Sequence, residues 1–168
     1  MATKEESFVE EITRQQGILL KVACMYCREP EERRDLFQEM VYQLWRAWDS
    51  FSGKSKLSSW MYQVAINTAI TWLRRQKRNM PTTQLSRHEL QLPAHMETPR
   101  LETDEQRQFL YRAIEQLSQV EKAIVMLYLE DHSYEEIAAI MGISKNLVGV
   151  KLNRIKKKLR KMIVPHFN

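Results

Sequence analysis

The stretch SYEEIAAIMGISKNLVGVKLNRIKKKL, residues 133–159, decides the fold of this chain. Ser133 with Glu136 three residues on is the signature of a capping box that opens a helix. Gly142 stands where a tight turn needs a positive φ, which a residue without Cβ adopts freely. Ser144 then caps the helix that follows. Small Ala138, with a glycine four residues later, meets the need of two helices crossing at a steep angle. The pattern is that of a helix-turn-helix.

At about 100° per residue the second of these helices has two faces. Val148, Leu152, Ile155 and Leu159 share a narrow arc and form its buried stripe. The opposite arc carries Asn146, Leu147, Val150, Asn153, Arg154, Lys157 and Lys161. Asn146 and Asn153 suit adenine edges, Arg154 a guanine edge or a phosphate, and Val150 a thymine methyl. Lys145, Lys151, Lys157 and Lys158 complete the candidate contacts of this helix. Between Gly142 and Lys161 there are eight lysines and arginines and no acid. A solvated helix face normally mixes in glutamates, and a membrane-surface helix needs a broad apolar face with bulky aromatics. This one has a narrow aliphatic seam, so a DNA groove is the favoured ligand.

Charge along the rest of the 168 residues is uneven. Residues 50–88 carry 7 basic groups and no acid, and residues 137–168 carry 8 and none. The segments ahead of them are acidic, with 10 acids to 7 bases over 1–49 and 11 to 4 over 89–136. Two basic blocks, each behind an acidic one, fit a polyanion gripped at two places. The polar, acidic N-terminus is not a signal peptide, and no apolar run approaches the roughly 18 residues of a membrane span. A soluble, cytoplasmic chain is expected. The two cysteines, Cys24 and Cys27, are too few for a disulfide framework. In an apolar helical stretch they read as core packing, with redox sensing as the alternative. No second pair exists to complete a zinc site, and His88, His95, His132 and His166 lack ligand spacing, so neither metal nor cofactor is expected.

Glycine is scarce and the periodicity is helical throughout, which predicts an all-α chain. The first helix is expected over Glu5–Arg28, a second from Pro30 to the DSFSGKS stretch, and a third from caps at Ser58 and Ser59 to about Lys77. Residues 79–103 hold three prolines and no apolar period, which predicts a flexible linker. Helix resumes near Glu105, with turns near Asp131 and Gly142, and runs to about Ile163. Two small helical domains follow, 1–78 and 104–168. The linker would average roughly 25–30 Å as a coil and reach on the order of 80 Å stretched, enough to serve DNA sites two helical turns apart.

In the third helix Leu57, Met61, Val64, Ala65, Thr68 and Trp72 form the expected buried arc. Beside it run Trp60, Gln63, Asn67, Thr71, Arg74 and Arg78, grading from aromatic through amides to cations. Aromatics stack on unpaired bases, amides bond base edges and cations hold the backbone. Such a stripe suits a helix lying across a junction of melted and paired DNA. For Trp60 a place in the core is the alternative.

The segment DLFQEMVYQLWRAWDSFSGKSKLSSWMYQVAINTAITWLRR resembles region 2 of the bacterial sigma-70 family in its minimal extracytoplasmic-function (ECF) form. LSQVEKAIVMLYLEDHSYEEIAAIMGISKNLVGVKLNRIKKKL resembles region 4 of the same group. The order and the linker also agree. The resemblance implies that Asp35, Gln38, Glu39 and Trp45 contact the clamp helices of the RNA polymerase largest subunit. It implies that the loop from Phe51 to Lys56, with Ser52 and Lys54, captures a flipped base of the −10 element, a step that needs a pocket to offset unstacking. Asn67 would meet the neighbouring unpaired base. Region 4 would bind the −35 element and the flap of the second-largest subunit, and an anti-sigma factor would hold the protein inactive.

Two departures from the family pattern stand out. Where relatives carry arginine, serine or threonine, then arginine, this chain has Gly149, Val150 and Lys151, so its −35 preference should differ. Gln63 and Val64 replace the tryptophan pair that serves housekeeping relatives as a melting wedge, which implies weaker melting. No catalytic constellation and no small-molecule site is visible. The alternative is an autonomous helix-turn-helix regulator whose first domain senses a ligand or dimerises.

Overall fold

A computed structural model describes residues 1–79 and 104–167, and every regular element among them is a helix. They form two compact units, one on each side of residues 80–103. The expected linker lies outside the described residues, apart from Asn79.

In the first unit, α1 spans Lys4–Arg14, α2 Gln16–Tyr26, α3 Pro30–Ala47 and α4 Leu57–Asn79, with a single 3-10 turn at Trp48–Ser50. A complete capping box starts α1: the Glu6 amide donates to Thr3 Oγ1 at 3.1 Å and the Thr3 amide to Glu6 Oε2 at 3.0 Å. The single helix expected over 5–28 is two. The chain breaks at Gln15, with φ −114° and ψ 20°. The break turns α1 so that Phe8 packs edge-on against Trp45 and Trp48, at 5.0 and 5.2 Å between ring centroids. Pro30 at the start of α3 supplies the right φ and gives up no needed donor, and Glu31 and Glu32 sit at the positive end of the helix dipole. Leu36, Met40 and Leu44 of α3 are fully buried, so truncating any one to alanine should cost about 2–5 kcal/mol.

The start of α4 also corrects expectation. The Trp60 amide donates to the Lys56 carbonyl at 3.1 Å, which puts Ser58 and Ser59 inside the first turn rather than at the cap. Of the arc expected to be buried, Met61, Ala65 and Thr68 are, whereas Leu57, Val64 and Trp72 are half-buried. Tyr62, Ile66 and Ala69 are buried as well. α4 packs against both α2 and α3, so its apolar sector is wider than a single-neighbour stripe.

In the second unit, α5 spans Asp104–Glu115, α6 Gln119–Leu129, α7 Tyr134–Met141 and α8 Lys145–Phe167. α8 packs on all three of the others, and Val148, Leu152 and Ile155 are buried as its pattern required, with Leu159 half-buried at the end of the row. The turn before it is as read. Gly142 has φ 69°, its amide and that of Ile143 both donate to the Ala138 carbonyl, and the Leu147 amide donates to Ser144 Oγ at 3.1 Å. Only half of the capping box at Ser133 forms. Glu136 N–H bonds Ser133 Oγ, but the Glu136 carboxylate takes the Ser133 hydroxyl at 3.2 Å and faces His132 Nδ1 at 2.9 Å. Among the described residues no helix is long and apolar enough to cross a membrane.

Candidate nucleic-acid interfaces

The apolar side of α8 is consumed by the core, so its opposite face is held rigidly toward solvent. Asn146, Val150, Asn153, Arg154 and Lys157 are all exposed there, with Leu147 beside them, and Lys151 is half-buried at the flank. Leu147 and Val150 keep 38% and 45% of their surface, so two aliphatic groups are open to a ligand on this face. Two of the expected contacts are already engaged within the unit. Lys145 Nζ pairs with Glu135 at 2.9 Å, which lifts the lysine above its usual pKa and holds the glutamate below its own. Lys158 Nζ pairs with both oxygens of Glu121, at 3.0 and 3.2 Å. Burial pushes the Glu121 carboxyl up, but the bonds from Lys158 and from Ser118 outweigh it and leave the group below its ordinary value. Lys156, on the near flank, lies 4.6 Å over the Tyr128 ring. The cations facing away from the core are thus Lys157, Arg154 and their neighbours, while Lys145 and Lys158 also brace α8 against α7 and α6.

The stripe expected on α4 is exposed from Gln63 through Asn67, Thr71 and Arg74 to Arg78, and Trp60 is half-buried. The Trp60 ring stands 5.1 Å from that of Phe51 and 6.1 Å from that of Trp48, in an aromatic cluster at the base of the 51–56 loop. Phe51 is half-buried in the same cluster, while Ser52, Lys54 and Lys56 are exposed. The loop is shaped by Gly53, with φ 75°, a conformation that a side chain rarely adopts.

A cleft of about 330 Å³ runs between α3 and α4, lined by Glu39, Gln43 and Arg46 on one wall and Asn67, Thr71, Trp72 and Arg75 on the other. Two amides, hydroxyl groups, an indole and two guanidinium groups, set against the one carboxylate of Glu39, can stack on, bond and charge-balance a nucleotide. Arg75, Arg46 and Trp72 were missed from sequence. Arg75 continues the i, i+4 row of Asn67 and Thr71, and following that row strictly would have found it.

The four residues expected at a protein contact divide. Asp35 and Gln38 are exposed. Gln38 and half-buried Trp45 line an apolar groove of about 380 Å³ with Phe8, Val9, Val41 and Tyr42. Glu39 instead lines the α3–α4 cleft, where its Oε1 accepts from Gln43 at 2.9 Å. Cys27 is buried in the core and Cys24 half-buried beside it, and burial raises both thiols, Cys27 to about 12. They are protonated near neutral pH, which argues against the redox alternative. Among the described residues no cluster of three or more His, Cys, Asp or Glu side chains could hold a metal.

Among the described residues these features make up a two-part helical protein, with a helix-turn-helix in one unit and a helical bundle bearing an aromatic, amide and cation face in the other. The family model for sigma-70 region 2 matches residues 12–79, and that for sigma-70 region 4 matches residues 107–159. The ECF RNA polymerase sigma-E factor of Escherichia coli K12 is 33% identical over 141 residues, covering 78% of this chain and 73% of that protein. The RNA polymerase sigma-E factor of Streptomyces coelicolor is 28% identical over 162 residues, covering 94% and 86%. Two solved structures share the fold. The sigma factor RpoE in complex with the anti-sigma factor NepR from Bartonella quintana has a TM-score of 0.73 at 20% identity, over 96% of this chain and 99% of that one. CnrH in complex with the cytosolic domain of CnrY has a TM-score of 0.66 at 16% identity, over 97% and 91%. The chain belongs to the sigma-70 family of RNA polymerase sigma factors, in the ECF group.

Proposed function

We propose that this protein binds core RNA polymerase in the cytoplasm, directs it to a defined set of promoters and helps to open the −10 element, leaving all bond chemistry to the polymerase. The observation that carries this is the pairing of regions 2 and 4 in order on one chain. In this reading residues 1–78 serve the −10 element and the polymerase, and 104–168 the −35 element. α4 lies along the melted strand through Trp60, Gln63, Asn67, Thr71, Arg74 and Arg78, and the 51–56 loop captures one extruded base. α8 reads the −35 duplex through Asn146, Val150, Asn153 and Arg154. Asp35, Gln38 and Trp45, on the outward side of α3 and its groove, meet the clamp helices of the largest subunit, and the second unit meets the flap of the second-largest. Glu39, at the edge of the α3–α4 cleft, belongs to the same proposed polymerase contact. An anti-sigma factor is a fitting antagonist, since both solved neighbours are sigma-type folds held in such complexes or with a cytosolic partner domain.

The test is co-elution of the purified chain with bacterial core RNA polymerase, comparing wild type with Asp35→Lys/Gln38→Ala. Stable binding that weakens at least tenfold in the variant, about 1.4 kcal/mol, supports the assignment. A folded wild-type chain that ignores core polymerase but binds duplex DNA would instead favour an autonomous regulator.

A further inference from the structure

Lys4 and Phe8 stand ahead of the residues that match the family, yet they touch the part of the first unit on which base capture rests. Phe8 is buried and stands edge-on to both Trp45 and Trp48, with interplanar angles of 67° and 81°. Edge-to-face pairs are directional, so Phe8 fixes the tilt of each indole rather than merely filling space. From Trp48 the ring contacts continue to Phe51 at 6.5 Å and Trp60 at 6.1 Å, and Phe51 meets Trp60 at 5.1 Å. The backbone follows the same path: the Phe51 amide donates to the Trp48 carbonyl at 3.3 Å. Lys4 Nζ adds a second tie. It bonds Asp49 Oδ2 at 2.7 Å, in the 3-10 turn that leads into the loop, and sits 4.8 Å over the Trp45 ring.

We infer that α1 is a brace for the base-capture loop, and that Phe8 and Lys4 are positioning residues that set where Phe51 and Trp60 stand. This rests on the loop's proposed role in capturing an unpaired base. A five-ring chain runs from Phe8 and Trp45, at the groove beside the polymerase-facing side of α3, to Phe51 and Trp60 at the DNA side. A partner seated in that groove presses on the same rings that hold the loop. The ionic tie is exposed, at 46% and 76% for the two side chains, so it acts as a trim on an orientation set mainly by the buried ring.

The experiment uses holoenzyme reconstituted with core RNA polymerase and a single-stranded DNA pool randomised over ten positions, the bound fraction being sequenced. Wild type should enrich one base strongly at one position, and Phe51→Ala should abolish that enrichment. Phe8→Leu, which keeps the site filled but loses the edge contacts, should reduce it by roughly tenfold. Lys4→Asp should reduce it by about two- to threefold, and Lys4→Asp/Asp49→Lys should restore it. Enrichment is compared at equal occupancy of core polymerase, and selection at the other positions should stay unchanged in all of these, which a general loss of fold would not permit. If Phe51→Ala removes the selectivity but Phe8→Leu and Lys4→Asp leave it intact, the brace is wrong and the capture loop stands. If Phe51→Ala itself changes nothing, both fall.

Discussion

Asp131 holds φ 63° at the end of α6, where the His132 amide donates to the Leu127 carbonyl at 3.1 Å. This closure needs a left-handed residue, and glycine adopts that conformation without the Cβ clash. Aspartate tolerates it better than most side chains, but still at a cost. Asp131→Gly should therefore stabilise the second unit by about 0.5 kcal/mol, the relief of strain exceeding the added freedom of the unfolded chain. In thermal unfolding that is a rise of roughly 2–4 °C, and a fall in Tm would refute the assignment of strain. Gly142 offers no such gain, because its φ of 69° is already met by the residue that meets it best. Single-residue geometry of this kind was legible at Gly142, where the glycine announces itself, and hidden at Asp131, where an ordinary acid stands in for one.

At the scale of an element, α8 offers the sharper test. Its core row could be read from sequence because one helix period dominates its packing. Its outward row reads as a mix of amides, cations and two partly exposed aliphatic groups, Leu147 and Val150. If Val150 covers a thymine methyl, replacing that thymine by uracil removes one methyl group and nothing else. Binding of the −35 duplex by holoenzyme should fall by about fourfold, the worth of one buried methyl, and Val150→Ala should be almost indifferent to the exchange. Equal losses in both proteins would remove Val150 from the readout. Gly149 beside it has room: an added Cβ would meet the Tyr134 ring at 3.7 Å, an ordinary contact. What could not be read was the break at Gln15. Phe8, Ile12, Leu19, Val22 and Tyr26 stay in phase across it, so one uninterrupted helix and two successive ones share a pattern.

For the molecule as a whole, a charge tally includes cations that the fold already engages. Eight cations lie between Gly142 and Lys161, yet Lys145 and Lys158 answer to acids ten and 37 residues away in sequence, and Lys156 to a tyrosine ring. Pairings at such separations leave no local signature, which is why periodicity found the face but not these ties. The same holds for the aromatic cluster, whose rings come from residues 8, 45, 48, 51 and 60. If the two lysines are tied up while the protein sits on promoter DNA, freeing them should add phosphate contacts. Glu121→Gln/Glu135→Gln in holoenzyme should steepen the slope of log K against log salt by between one and two, at about 0.9 per phosphate. An unchanged slope would mean that both lysines already leave their acids for DNA in the wild type.

The division of α8 between a core row and an outward row also governs how such a protein can change over descent. Val148, Leu152 and Ile155 answer to the stability of the unit, whereas Asn146, Val150, Asn153 and Arg154 lie exposed outside its core. Substitutions in the second set are free of the first set's constraint. A duplicated copy could therefore drift to a new promoter while its scaffold stays intact, so that one fold supplies many regulatory programmes without being rebuilt.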